Sequence, residues 1–172
     1  MSKYEKYVKA GTYIYVIYLV FFMLQNLQKP LPYIDPYIKP YVEHWIQQAQ
    51  KRNIDITPIY QLDSIVLQTF PTPHTLGMCY LGQRKIGIIS PEGDAAAFSK
   101  FHYLVIIYHE LGHCVLGRYH TCDRLAIMNP HLKATSIKTY FKYWNYIVDD
   151  YWDNRGMMCM PKSDPTNKSC CK

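Results

Sequence analysis

The chain has 172 residues, 49% hydrophobic and 19% charged, so it is long enough for one domain of ordinary size and too apolar to be disordered throughout. The net charge of +6 comes from 19 Lys and Arg residues scattered along the chain, which argues against a nucleic-acid partner; the composition indicates no oligomeric state. Six cysteines are too few for a disulfide-built scaffold, but an even number suits a protein with bridges outside the cytosol.

An uncharged segment, residues 10–28, follows three lysines at the N-terminus, and its part from 12 to 24 is almost wholly apolar or aromatic. About 18 to 20 such residues span a bilayer as a helix, and the lysines favour a cytoplasmic start. Because no small-residue cleavage site follows, we expect residues 1–30 to form a membrane anchor or uncleaved signal. This single-pass anchor would hold the rest of the chain outside the cytosol. The alternatives are a secreted protein with a cleaved signal and a buried helix in a soluble protein.

Residues 35–154 are predicted to form the folded domain, and residues 155–172 a Cys-containing tail without periodicity. Asp35 followed by Pro36 predicts a helix start, and apolar residues recur at helical spacing up to about Asn53. Short segments with strand character follow, bounded by Pro and Gly, and they predict a small mostly β layer. These segments are residues 64–70, 76–81 and 85–90.

A second helix is predicted to begin within residues 94–99 and to run to about Leu116, where Gly117 supplies a stop. It is nearly all apolar before His109, so it is expected to be central and buried. A last helix is predicted over residues 136–152 from its apolar stripe. Helix, strands, helix, irregular segment and helix in this order predict an α+β fold with a small mixed sheet.

The second helix carries the segment His-Glu-Leu-Gly-His at residues 109–113. His109 and His113 lie one turn apart on one face, so both imidazoles can bind one metal ion. Glu110, next to the first ligand, can reach a water on that metal rather than the metal itself. A catalytic zinc needs a third protein ligand and an open position, and His120, three residues after Gly117, can turn back to supply that ligand.

This segment resembles the metzincin clan of zinc metallopeptidases, whose motif H-E-x-x-H-x-x-G-x-x-H is followed by a methionine turn. The sequence Ala-Ile-Met-Asn-Pro at 126–130 resembles that turn. One extra residue stands between His113 and Gly117, whereas the interval from Gly117 to His120 is kept. The clan's order of elements also matches the one predicted here. The motif residues that match its ligands, base and turn glycine are His109, Glu110, His113, Gly117 and His120.

The resemblance implies a zincin-like catalytic domain that hydrolyses peptide bonds in a peptide or protein substrate. It implies one zinc ion on the three histidines, Glu110 as general base, and Gly117, Met128 and Pro130 as structural support. In the clan an extended substrate pairs with an edge strand before the motif helix. Here that strand would be residues 85–90, and the substrate-binding residues would be Gly87, Ile88 and Ile89. Structural calcium is not expected, because Asp94 is the only aspartate between Asp63 and Glu110.

Other readings of the same residues stay open. Glu110 is the last glutamate, so a zincin amidase with an aspartate as third ligand would have to use Asp123, Asp149 or Asp150. A membrane-tethered binding or structural protein could keep the scaffold without turnover. Cys114 and Cys122 flank the third histidine, and we expect a disulfide, with Cys79 as a candidate partner, rather than zinc ligation. His102 is expected to be structural.

Overall fold

The structure, a computed structural model, describes residues 15–18, 30–72, 74–92, 98–121, 125–130 and 137–153. The chain divides into two units, Met1–Pro30 and Leu31–Lys172. In the first unit residues 15–18 are helical. Within the described ranges, no helix combines the length and the apolar character that crossing a membrane requires. Most of the predicted anchor at 10–28, and the whole tail at 155–172, lie outside the described residues.

The second unit contains a four-stranded mixed sheet. Its strands are β1 (Tyr33–Ile34), β2 (Ser64–Gln68), β3 (Gly77–Tyr80) and β4 (Lys85–Ile89), and they lie in the order β1-β2-β4-β3. The β1–β2 and β2–β4 pairs are parallel, and β3 runs antiparallel to β4. Ile65 of β2 and Ile86 and Ile88 of β4 are fully buried in the core, as expected for β-branched residues on the covered face of a sheet. The three predicted strands are confirmed to within two residues at each end, and β1 was not predicted.

The expectation that residues 85–90 form an edge strand is wrong. β4 has β2 on one side and β3 on the other, so Gly87 pairs with both Val66 and Met78. The short 3₁₀ helix Leu81–Gln83 turns the chain back after β3, and this antiparallel return covers the edge that β4 would otherwise present. The backbones of Gly87, Ile88 and Ile89 are therefore engaged within the sheet, and β3 is the edge strand on this side.

Four α-helices are described in the second unit, together with the 3₁₀ helices Thr57–Gln61 and Leu81–Gln83. They are α1 (Lys39–Lys51), α2 (Lys100–Cys114), α3 (Ile137–Lys142) and α4 (Trp144–Asp153). α1 starts three residues later than predicted, with Ile38 in place of Asp35 before its first residue, because Asp35 begins a turn instead. Its carboxylate accepts the Tyr37 N–H at 2.9 Å, and its carbonyl accepts the Lys39 N–H at 3.0 Å. The predicted α+β fold class is confirmed at this level.

The central helix α2 is buried from Val105 to Gly112, as its apolar sequence predicts. Ser99 caps its start: the Ser99 N–H donates to His102 Nδ1 at 3.0 Å, and the His102 backbone N–H bonds back to Ser99. This reciprocal pair satisfies two of the amides that every helix start leaves unpaired. His102 is thus structural, as expected.

The predicted last helix is interrupted at Tyr143 and forms α3 and α4. A buried aromatic cluster packs α4 against α1 and against α2, the helix that carries the His-Glu-Leu-Gly-His segment. Trp45 Nε1 donates to the Tyr151 hydroxyl at 3.0 Å, and that hydroxyl donates to the Tyr108 carbonyl at 3.0 Å. Trp152 lies beside them, with its ring centroid 5.4 Å from that of Trp45. Because Tyr108 directly precedes His109, this cluster anchors the part of α2 that carries the first two histidines.

Candidate metal centre

The first two histidines are placed by α2 and the third by the loop that follows it. His109 is buried at 6% exposure, and His113 and His120 are half-buried. Four residues in an α-helix make slightly more than one turn, so the His109 and His113 side chains lie one above the other. The chain must then reverse after α2 for His120 to reach the same point.

Gly117 makes that reversal, since its φ of +62° lies in the left-handed region that favours glycine. The extra residue before it is accommodated in a widened turn. The Leu116 N–H donates to the Leu111 carbonyl, five residues back, and the Arg118 N–H donates to the Gly112 carbonyl, six residues back, at 2.9 Å. The usual glycine-ended helix closes with bonds that span three and five residues. The insertion therefore lengthens the turn and leaves His120 pointing back at α2.

The three imidazoles converge through their Nε2 atoms. The His109 and His113 Nε2 atoms are 3.1 Å apart, and those of His109 and His120 are 3.3 Å apart. Two nitrogens bound to one tetrahedral zinc at 2.0–2.1 Å would be separated by about 3.3–3.4 Å. The ligand atoms of all three histidines lie within 4.8 Å of one another, so this cluster can hold a metal ion.

The opposite ring nitrogens settle which atoms face the centre. His109 Nδ1 lies 2.7 Å from the Ile127 carbonyl, and His113 Nδ1 lies 2.6 Å from the Arg118 carbonyl. A carbonyl only accepts, so each Nδ1 carries the hydrogen and each Nε2 of a neutral ring presents a lone pair. Two lone pairs that face each other at 3.1 Å repel unless a cation binds between them. The donor set therefore fits a metal ion that prefers imidazole nitrogen.

Burial keeps these rings neutral. Burial is the largest cause that lowers the pKa of His109, to about 3; the neighbouring His113 and His120 lower it further, and the bond to the Ile127 carbonyl opposes them. Burial also lowers the pKa of His113, against the effect of the Arg118 carbonyl. Because neutral imidazole is the form that binds metal, both rings are ready to bind a metal near neutral pH.

The turn at 126–130 lies under the centre and carries the carbonyl that orients His109. Met128 is 4% exposed and packs against Gly112, where a Cβ atom would lie only 2.5 Å from the methionine sulfur. The Tyr140 hydroxyl donates to the Ala126 carbonyl at 2.9 Å and fastens the turn to α3. Met128 therefore supports the site through packing, and Pro130 lines the cleft above it.

Arg118 connects the loop after α2 to α4. This loop, residues 115–121, carries His120 and is called the ligand loop below. Its guanidinium donates to the carbonyls of Tyr151 and Trp152 and lies 4.2 Å from the centroid of the Tyr151 ring. Those carbonyls belong to the last turn of α4 that the structure describes, and a helix leaves its last four carbonyls open to such donors. Since the Arg118 carbonyl also binds His113, one residue links the helix end to a ligand.

Glu110 is 5% exposed and lines the same cleft as the histidines. Burial raises the pKa of its carboxyl to about 8, and a backbone hydrogen bond from Cys79 acts in the opposite direction. Gly77 leaves room for the side chain, because a Cβ there would lie 2.6 Å from Glu110 Cγ and Oε1. β3 therefore contacts the glutamate directly.

The cleft has a volume of about 1160 Å³ and is bounded by β3, α2 and the ligand loop. Its walls are largely apolar, with Leu76, Met78 and Leu81 on one side and Tyr119 on the other. A groove of this size, mostly apolar with a few convergent polar groups, is typical of a binding site for part of a peptide or another small ligand.

A disulfide joins Cys79 of β3 to Cys114 of α2, in agreement with the expected pairing of Cys79 with one of the flanking cysteines. Cys122 and Asp123 lie outside the described residues. Asp149 is not at the centre; it pairs with Arg52 at 2.9 Å, on the side of α4 that faces α1.

The structure thus brings together His109, Glu110, His113 and His120 in one cleft, whereas Gly87, Ile88 and Ile89 do not line it. Sequence reasoning missed Gly77 and Arg118. A glycine inside a strand signals the close approach of another group and could have pointed to the first. Comparisons of the chain with protein-family models, with curated proteins and with solved structures find no match.

Proposed function

We propose that this chain is a zinc-dependent endopeptidase with a metzincin-like catalytic domain. One observation carries the proposal: His109 Nε2 lies 3.1 Å from His113 Nε2 and 3.3 Å from His120 Nε2, in a cleft that also holds the Glu110 carboxyl. Three neutral nitrogen ligands and an accessible side are the arrangement of a catalytic zinc site, in which a fourth position stays open. The turn at 126–130, packed beneath His109, adds support.

In this proposal His109, His113 and His120 hold the ion, and Gly117, Met128 and Pro130 shape its surroundings. Zinc, when bound, supplies a Lewis acid that lowers the pKa of water and polarises a carbonyl. The Glu110 carboxylate takes a proton from the attacking water and delivers it to the nitrogen that leaves. Burial makes this carboxyl a stronger base than an exposed glutamate, as a general base near neutral pH requires.

The substrate would lie along β3. This strand is an edge of the sheet and lines the cleft from Gly77 to Cys79, whereas β4 is covered on both sides. An edge strand offers unpaired N–H and C=O groups that an extended peptide can pair with. The apolar walls favour a peptide with large apolar side chains near the scissile bond.

Two alternatives are less well supported. A non-catalytic binding protein would not need a buried carboxyl beside its metal, whereas a hydrolase uses one as its base. An aspartate-liganded amidase would use Asp123 in place of His120, yet His120 already reaches within 3.3 Å of His109. We therefore keep the three-histidine site as the proposal.

The proposed location is outside the cytosol, either membrane-anchored through residues 10–28 or secreted. The Cys79–Cys114 disulfide supports it, because such bonds persist in oxidising compartments and are rare in the cytosol.

The decisive experiment compares zinc-loaded wild type with Glu110→Gln on a fluorogenic peptide library. We expect the variant to bind zinc like wild type and to lose about a hundredfold to ten-thousandfold in hydrolysis, the usual contribution of a general base. The matched control is Glu43→Gln, an exposed glutamate on α1 whose charge faces Lys39, and it should retain full activity. Equal turnover by wild type and Glu110→Gln would refute the proposal.

A further inference from the structure

The contact between β3 and α2 joins the proposed base to a disulfide. Glu110 and Cys114 are four residues apart on α2 and lie on the same face, one turn from each other. Cys79 of β3 is bonded to Cys114, with their Cα atoms 5.6 Å apart. The backbone N–H of Cys79 also lies close enough to the Glu110 carboxyl to lower the pKa of that carboxyl, against the larger effect of burial. One residue of the edge strand therefore contacts both positions.

The direction of the Cys79 N–H follows from the antiparallel hydrogen bonding between β3 and β4. The Ile89 N–H donates to the Leu76 carbonyl at 2.9 Å, so these two residues form a hydrogen-bonded pair. Bonded and non-bonded pairs alternate along antiparallel strands. Cys79 is three positions beyond Leu76 and pairs with Ile86, so it belongs to a non-bonded pair. Its N–H points away from β4 and is available to Glu110.

β3 packs so closely against Glu110 that the glutamate side chain has little room to move. A Cβ on Gly77 would overlap Glu110 Cγ and Oε1 at 2.6 Å, so the strand backbone lies directly against the side chain. In the described sheet, β3 has four residues and a partner strand on one side only. A strand this short is weakly held by its ladder, and a covalent bond to α2 fixes its distance from the helix.

We propose that the Cys79–Cys114 disulfide is a positioning element for Glu110 and that peptide hydrolysis requires its oxidised form. This inference rests on the proposed function. On reduction the disulfide takes two electrons from a phosphine and two protons from water, giving two thiols and the phosphine oxide. β3 can then move away from α2, and Glu110 loses the amide and the backbone surface that hold it. His109 and His113 are held by the carbonyls of Ile127 and Arg118, neither of which belongs to β3, so the site keeps the metal.

The expected effect is a fall in kcat of about tenfold to hundredfold, since a displacement of about 1 Å in a reacting group can cost a hundredfold. KM should change by less than about twofold, because the reduced strand remains in the sheet. Zinc content should not change. The Cys79 amide should exchange its hydrogen at least about tenfold faster after reduction, because it loses its acceptor.

The test uses the full-length zinc-loaded protein, oxidised, reduced with a phosphine and then reoxidised. Kinetics, zinc content and amide exchange are measured in each state. The control, Cys79→Ser/Cys114→Ser, retains the other four cysteines; it should match reduced wild type and should not respond to the phosphine. Reduction is repeated on Glu110→Gln, where a disulfide that acts through the glutamate should change the residual rate by less than about twofold.

A reduced wild type with unchanged kcat overturns the inference, and so does loss of zinc on reduction. An equal fractional loss of activity in wild type and in Glu110→Gln also overturns it, because the bridge would then support the fold and not the base. Failure of the proposed function looks different: the oxidised wild type would be no faster than Glu110→Gln, and the inference would fall with it.

Discussion

Replacing Gly112 by alanine sets two effects of opposite sign against each other in the motif helix. Alanine is favoured over glycine inside a helix by about 1 kcal/mol. The new Cβ, however, would lie 2.5 Å from Met128 Sδ and 3.3 Å from the Tyr151 hydroxyl oxygen. Both neighbours are buried, at 4% exposure each, so neither can swing into solvent.

The steric clash should outweigh the gain in helix propensity. Overpacking a well-filled core costs about 1–3 kcal/mol, and a contact this short belongs in the upper part of that range. When the gain of about 1 kcal/mol in helix propensity is subtracted, we expect Gly112→Ala to lower the free energy of unfolding by about 1–2 kcal/mol. Displacing Met128 also moves the adjoining Ile127 carbonyl, which accepts from His109. Zinc affinity should fall by about tenfold to a hundredfold, as for other changes to a group that orients a ligand.

Urea unfolding of the metal-free protein measures the first effect, and competition with a chelator of known affinity measures the second. The matched control is Gly82→Ala, where a new Cβ has no neighbour within 4 Å, and both quantities should stay at the wild-type value. Adding Met128→Ala to Gly112→Ala should cost less than the sum of the two single changes, because it removes the clash. A Gly112→Ala protein as stable as wild type, with unchanged zinc affinity, would refute this reasoning.

Three further outcomes are expected. Gly77→Ala should keep zinc but lose about a hundredfold in hydrolysis, since its Cβ would push the general base aside; wild-type kinetics would contradict this. His120→Ala should lose zinc, whereas Cys122→Ala and Asp123→Ala should keep it, as metal analysis of the purified proteins will show. Burial, with a smaller effect of Lys51, lowers the pKa of His44, so unfolded chains bind the proton first, and stability should fall as the pH drops below about 6.5. A His44→Gln protein should lose less stability between pH 7 and pH 5, as judged by urea midpoints.

Much of the fold could be predicted from local signals. The apolar run before His109 predicts a buried helix, and Ser99 and Gly117 lie at its two ends as capping chemistry requires. The strand segments were recognisable because each is β-rich and bounded by turn residues. The order of strands in space was not, because parallel pairing of β2 with β4 leaves β3 outside although it lies between them in the chain. The interruption between α3 and α4 at Tyr143 could not be predicted, because no Pro or Gly lies there to break the helix.

In the site, helical spacing predicted the convergence of His109 and His113, and the glycine-to-histidine interval predicted the approach of His120. Spacing could not reveal which carbonyls hold the rings, because Ile127 and Arg118 act through backbone atoms that any residue possesses. Contacts from β3 were also hidden, since they depend on tertiary packing between elements about 30 residues apart.

X-ray absorption at the zinc edge of the purified full-length protein tests the central claim most directly. We expect one equivalent of zinc with three imidazole nitrogens and one oxygen at about 2.0–2.1 Å. A sulfur ligand at about 2.3 Å would identify a thiolate at the metal, and a site with two imidazoles and a carboxylate would replace His120 by an aspartate. Either spectrum, or protein that binds no zinc, would contradict the three-histidine centre.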